Sequence, residues 1–329
     1  MAFTVVYDGS YDELQHKNYY AAALKDLLEK NPQVVVGEAD IGLGLFGPDY
    51  YELRKKYGDR FFDVGIQEAN LAGVAAGLSV TGKIPYIHSF SPFMSRRVYD
   101  TVFISLAYAK LNARLYGSDP GIVAAYNGGT HMSFEDVGIM RGIPGITIID
   151  ISDGVMLDFV LRDSAEKYGL FYIRGGRGFT SVKIYGSGST FTYGKANLLR
   201  EGSDVTIIAS GIMVEKALHA AEQLKAGGIS ARVVDIFTIK PLDEDYILKC
   251  AEETKAIVVA ENHRTATGLS AAVAGVIARE GIGIPFATVG VGDEFGQVGC
   301  EKDLAAYYKL TMEEIAAKAQ FVAGKKKTQ

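Results

Sequence analysis

The chain of 329 residues has no tryptophan, two cysteines, five histidines and eight prolines. Cys250 and Cys300 stand alone, without Cys-x-x-Cys spacing, which argues against a disulfide framework or a structural zinc site. No two of His16, His88, His131, His219 and His263 fall at metal-ligand spacing, so no metal held by this chain is expected. Excess charge of one sign is missing too: 34 Lys and Arg against 39 Asp and Glu leave a net charge of −5. No basic stripe alternates with aromatics, and the one lysine cluster, the terminal GKKKTQ, reads as a solvated tail. Nucleic-acid binding is therefore not expected. No run approaches the roughly eighteen apolar residues of a membrane span, and the start, MAFTVVYDGSYDE, lacks a basic-then-apolar leader pattern. The expectation is a soluble, cytoplasmic protein with no membrane contact. Phosphate-binding G-x-x-x-x-G-K-[ST] and serine-elbow G-x-S-x-G motifs are also missing.

What remains is a chain that can bury real cores, with 48% hydrophobic residues, and its length suggests two domains. Short Val-, Ile- and Tyr-rich runs alternate with helix-period stretches, the pattern of strand–helix–strand units around a parallel sheet. Strands are expected at 33–37, 61–66, 84–90, 113–118, 146–150 and 170–174, with helices near 17–30, 67–80, 94–110, 133–142 and 153–167. A Gly-, Ser- and Thr-rich stretch then breaks the rhythm with short alternating pieces suited to a hairpin. From Asp204 the alternation restarts, with strands at DVTIIAS, ARVVDI, AIVVAE and PFATVGV. The fold class is α/β: two doubly wound domains with mainly parallel sheets, over 1–180 and 204–329, joined by a connector at 181–203.

GLGLFG at 42–47 fits a dinucleotide fingerprint and follows a strand, but Pro48 and Asp49 close it before a long helix can open over the glycines. A glycine-rich active-site loop is the better reading. In FFDVGIQEANLAGVAAGLS (61–79), one carboxylate, Glu68, heads a helix built of small apolar residues. Its position suits a helix N-terminus. Yet Gly65 lets the chain turn sharply out of the strand, and Ala69, Ala72, Gly73, Ala76 and Gly77 offer a thin face for close packing. A carboxylate held beside such packing is poorly solvated; its pKa is expected to rise and it can share a proton with a ligand. His131, in the glycine-rich turn of AAYNGGTHMSFED, is placed to project over a pocket.

Together, DVGIQEANLAGVAAGLSVTGKIPYIHSF, SPFMSRRVYDTV and GGTHMSFEDVGIMRGIP resemble the pyrimidine-binding half of transketolases and deoxyxylulose-phosphate synthases. LFYIRGGRG, DVTIIASGIMVEKALHAAEQL, ENHRTATGLSAAVAGVI and VGVGDEFGQVG resemble their C-terminal domain. The likeness covers nearly the whole chain and is closest to the C-terminal subunit of transketolases made as two chains. It implies thiamine diphosphate, with Glu68 hydrogen-bonding N1′ of the aminopyrimidine and favouring the tautomer that takes the thiazolium C2 proton. A two-carbon ketol unit then passes between sugar or sugar-phosphate substrates. The match gives Phe90, Phe93 and Arg96 of F-x-x-F-x-x-R-R, with Asp40, to the cofactor. His131 is the second catalytic candidate, and it and Arg174 fall where the family contacts sugar hydroxyls and substrate phosphate.

Departures gather in the sugar-reading positions. Lys17 stands where an arginine is usual, Gly44 for a serine, Asp119 for a histidine and Asn127 for an aspartate, which points away from the ordinary pentose-phosphate pair. The family's Gly-Asp-Gly segment, which binds Mg²⁺ and the diphosphate, does not occur in the sequence. The expected complement is a separate N-terminal subunit that supplies the Mg²⁺ ligands, in a two-plus-two assembly with the small-residue helix as a contact surface. Rival readings are a 2-oxo-acid dehydrogenase β subunit, a deoxyxylulose-phosphate synthase fragment and a non-catalytic scaffold paralogue. ENHRTATG, with Glu261 and His263, receives no role beyond a possible contact with a neighbour.

Overall fold

Two mainly parallel sheets carry the chain, and the computed structural model describes residues 2–326 of it. The first sheet is built from β1 (Val34–Glu38), β2 (Phe61–Asp63), β3 (Ile84–Phe90), β4 (Ala113–Ser118), β5 (Thr147–Asp150) and β6 (Leu170–Gly175). The second takes β7 (Asn197–Arg200), β8 (Val205–Ala209), β9 (Ala231–Asp235), β11 (Ile257–Arg264) and β12 (Phe286–Val291). Between β9 and β11 the chain sends β10 (Thr238–Lys240) back to the first sheet. The orders are β10-β5-β6-β4-β3-β1-β2 and β12-β11-β8-β9-β7. β10 and β7 are each antiparallel to their neighbour, and every other pairing is parallel. Strands β1, β4, β6, β8 and β9 are buried along their whole length, as continuous apolar runs covered on both faces must be.

The alternation read from the sequence therefore becomes the doubly wound architecture expected. Three local expectations change. The helix expected over 94–110 starts only at Tyr99 and passes into a π-helix over Val102–Tyr108. Residues 91–98 instead form successive turns, in which the Phe90 carbonyl accepts from both Phe93 and Met94, and the Ser95 hydroxyl bonds the Ser91 carbonyl at 2.6 Å. The Ser- and Gly-rich connector makes no hairpin with itself. Its residues Val182, Tyr185 and Thr190 bridge antiparallel to Tyr11, Val5 and Ala2. Lys325 and Lys326 are not part of a free tail, since they close the helix Met312–Lys326; residues 327–329 lie outside the described residues.

Where the two sheets meet, the seam is polar and dry. Arg174, at the end of β6, is 1% exposed. Its Nε donates to Asp136 Oδ2 (2.7 Å), Nη1 to Asp150 Oδ2 (2.9 Å) and Nη2 to the Asn262 carbonyl (3.2 Å). His263 donates from Nδ1 to the Arg264 carbonyl (3.0 Å) and accepts the Gly138 N–H on Nε2 (3.3 Å), so it is held neutral. Burial lowers its pKa to about 4. Glu261 accepts the Leu269 and Ser270 N–H groups that open the helix Leu269–Arg279. Glu261 and His263 are 2% and 1% exposed, so these two side chains are turned into the seam, while Ala266 and Thr267 of the same loop stay exposed.

Candidate active site

Because β1, β2, β3, β4 and β6 run parallel, the segments leaving their C-terminal ends share one edge, where open α/β sheets build binding crevices. Every first-half residue singled out from the sequence except Arg174 lies on or beside this edge.

Glu68 is the first residue of the helix Glu68–Val80 and is 2% exposed. Gly65, at φ 76°, makes the turn out of β2 that brings it there, and its N–H is held by Asp63 Oδ1 at 2.8 Å. The Ser89 hydroxyl donates to Glu68 Oε1 (3.1 Å) and Arg97 Nη1 to Oε2 (2.7 Å). A carboxylate has about four acceptor sites, so capacity remains for a further donor. The Arg97 guanidinium lies 3.8 Å from the centre of the Phe93 ring and so links the acid to the aromatic group. Phe90 and Phe93 meet edge to face at 6.0 Å, and His131 stands against both, at 4.9 and 5.1 Å. Partial burial, with Arg97, Arg177 and Arg96 nearby, lowers the His131 pKa and favours the neutral ring. A buried carboxylate with spare acceptor capacity, joined through Arg97 to an aromatic pair, suits a flat heterocycle that donates a ring N–H.

Arg96 does not reach Glu68 and lies on the His131 side of the group. It points the other way along the turn, to Glu135 (2.6 Å) and the Thr130 carbonyl (3.0 Å), and its neighbour Arg97 takes the inward position. Asp40 stands exposed beyond β1 at φ 63°, its N–H held by Asp63 at 3.1 Å. GLGLFG is a short helix over Gly42–Phe46 rather than a loop.

The four positions that depart from the family pattern converge. Lys17, Gly44, Asp119 and Asn127 line one cavity of about 420 Å³, together with Arg177 and Glu301. Arg177 crosses it. Its Nη2 pairs with Asp119 Oδ2 (3.1 Å), its N–H donates to Asp119 Oδ1 (2.7 Å), and its guanidinium sits 4.6 Å from the Phe90 ring. A Cβ at Gly44 would come within 2.9 Å of Arg177 Nη1, so the glycine leaves room for this arginine. Burial raises the Asp119 pKa, and Arg177 opposes that rise. Asp119 and Ala125 both hold positive φ, 55° and 45°, a backbone strain that collects at functional sites.

Arg174, expected at the substrate phosphate, is committed to the seam and does not line this cavity; three residues later Arg177 lies beyond the strand and inside the cavity. Arg97, Arg177 and Glu301 were not singled out from the sequence. Arg97 and Arg177 each sit beside a residue that was chosen, in R-R and R-G-G-R, and Glu301 comes from the far half of the chain. Among the described residues no group of three or more His, Cys, Asp or Glu side chains is arranged to hold a metal ion, and no helix is long and apolar enough to cross a membrane.

Comparison with known proteins gives a consistent picture. The transketolase pyrimidine-binding domain matches residues 12–180, and the transketolase C-terminal domain matches 194–315. The 6-deoxy-6-sulfo-D-fructose transketolase subunit SqwH of Clostridium sp. is 44% identical over 94% of this chain and 95% of its own length. A putative transketolase C-terminal section of Methanocaldococcus jannaschii is 38% identical, over 90% and 92%. Among solved structures, a split-gene transketolase described as an inactive β4 tetramer superposes with a TM-score of 0.85 at 36% identity, over 94% of this chain and 99% of that one.

Proposed function

The chain belongs to the transketolase family, and we propose that it works as the C-terminal subunit of a two-chain enzyme that moves a ketol unit between sugar or sugar-phosphate substrates. The observation that carries this reading is the Glu68 carboxylate, buried, hydrogen-bonded by Ser89 and Arg97, and set beside the Phe90–Phe93 pair. When bound, thiamine diphosphate supplies the breaking and making of the carbon–carbon bond. The chain's own contribution is placement and proton control. Glu68 holds a proton against a ring nitrogen of the aminopyrimidine, and Phe90 and Phe93 flank the ring and keep water off it. Ser89 and Arg97 fix the carboxylate's orientation. His131, neutral and packed on both phenyl rings, is positioned to donate to or accept from a substrate oxygen.

Mg²⁺ and the diphosphate fall to a separate N-terminal subunit in this reading, since the sequence has no Gly-Asp-Gly segment. The helix Glu68–Val80 supplies a surface for that subunit: Ala69, Gly73, Gly77 and Val80 are exposed along one uncharged side, continued by Ile66. That a related split-gene chain is described as an inactive β4 tetramer fits a need for a second kind of subunit, and the reading includes a two-plus-two assembly in the cytoplasm. The Clostridium relative is named for a sulfonated deoxyfructose, which accords with a donor or acceptor outside the usual pentose-phosphate pair.

The test is Glu68→Gln in the complex reconstituted from both subunits. The change keeps the side-chain shape and removes the proton-holding carboxylate. A loss of about two orders of magnitude or more in ketol transfer, with an unchanged melting temperature, is the expected result for a general acid/base group. A near-normal rate would sink the assignment and leave the non-catalytic scaffold standing.

A further inference from the structure

The cavity beside Phe90 contains two kinds of charge. Both carboxylate oxygens of Asp119 are engaged by Arg177, one by its Nη2 and one by its backbone N–H, so that pair is internally neutral. The other heads are unspent: among the described residues, no side chain or backbone group hydrogen-bonds or pairs with Lys17 Nζ, the Asn127 amide or the Glu301 carboxylate. Glu301 is the unexpected member, because it comes from the second half of the chain.

Its delivery is structural. The helix Glu301–Tyr307 packs on the 3₁₀ segment Gly121–Asn127, and the segment before it lies along the loop that carries Asn127 and His131. A Cβ on Gly128 would meet Val298 at 2.6 Å, and one on Gly129 would meet the Gly296 carbonyl at 2.6 Å. Only glycine allows the two backbones to approach so closely. Tyr308 locks the segment, donating its hydroxyl to the Phe295 carbonyl (2.9 Å) and accepting the Gln297 N–H (2.8 Å), with its ring 5.0 Å from Phe134. Arg264 adds a bond to the Glu294 carbonyl at 3.0 Å. Lys216 and Glu215, the latter bonded by the Tyr11 hydroxyl, are the charges nearest to Glu301 on its own side. Glu301 thus lines the wall of a polar cavity on a firmly held segment, and among the described residues its carboxylate has no hydrogen-bond or ion-pair partner.

We propose that Glu301 is a substrate-reading residue, whose carboxylate accepts hydrogen bonds from hydroxyls of the sugar chain and whose charge disfavours an anionic group at that end. This rests on the ketol-transfer reading. It gives the second half of the chain a direct part in specificity: Lys17 attracts an anionic tail, Glu301 holds a hydroxylated one, and their balance sets the preference.

The experiment uses the reconstituted two-subunit enzyme with hydroxypyruvate as donor and two acceptors, D-glyceraldehyde and D-glyceraldehyde 3-phosphate. Glu301→Gln keeps the shape and removes the charge. The expected result is a KM for D-glyceraldehyde raised about tenfold by loss of charge-assisted hydrogen bonds, a KM for the phosphate unchanged or lowered, and kcat for both within about twofold. Asp303→Asn, an exposed carboxylate on the same helix, is the control and should move neither KM. Equal changes in both KM values, no change in either, or a matching shift in the control would overturn the proposal while leaving the ketol-transfer reading intact. An untreated complex inert towards both acceptors would overturn both.

Discussion

The seam between the sheets and the cavity beside Phe90 are both made of charged side chains, yet they are opposites in accounting. At the seam, each polar nitrogen of Arg174 has a protein acceptor, and Asp136, Asp150 and the Asn262 carbonyl are spent on it. At the cavity, Lys17, Asn127 and Glu301 have none among the described residues. Burial explains the difference. A buried charge without partners is too costly to keep, so Arg174 is fully paired. A cavity open to solvent keeps its heads hydrated until a ligand replaces the water. Paired charge holds the two halves together; unpaired charge is left to recognise.

Removing the seam's cation should break the contrast most strongly. Arg174→Ala leaves Asp136 and Asp150 buried without compensation, and a loss of about 3–5 kcal/mol is expected, the range for a broken buried pair. Chemical denaturation followed by circular dichroism measures it; a variant as stable as the parent would mean the seam is wetter than it looks. His263 gives a smaller, pH-dependent effect. Its folded pKa of about 4 lies below the ordinary 6.5, so the folded state binds fewer protons across that window. The contribution is complete above pH 6.5 and is lost as the pH falls towards 4, by about 3 kcal/mol at most. His16, also lowered to about 4 by burial, gives a slope of the same sign. The comparison is therefore between the parent and His263→Gln, whose melting temperature should depend less steeply on pH in this range. Lys17→Ala sharpens the contrast from the other side. No described protein group hydrogen-bonds or pairs with the ammonium, so stability should stay within about 0.5 kcal/mol of the parent, while KM for a substrate ending in an anionic group rises about tenfold.

Much of the fold was legible, because a strand buried on both faces has to be a run of Val, Ile and Tyr, and helices must separate such runs. β10 was not: three residues before Pro241 pair with a sheet more than 80 positions back, and no local pattern records that return. In the site, Glu68 could be read from chemistry, a carboxylate where only small apolar residues follow. The arginines could not be sorted, since R-R and R-G-G-R give side-chain direction only once the turn and the strand end exist. In β6 the strand register buries Arg174, whereas Arg177, past the last strand residue, is free to swing over Phe90. Glu301 was out of reach of sequence reasoning, because the other cavity residues lie some 120 residues or more earlier in the chain.

The claim that half of the cofactor site lies on another chain is tested most directly by calorimetric titration of thiamine diphosphate with Mg²⁺ into this chain alone and into its complex with the N-terminal subunit. Binding by the complex and none by the lone chain is the expected result. Tight Mg²⁺-dependent binding by the lone chain would contradict it, and would place a diphosphate site among residues to which no such role is assigned here.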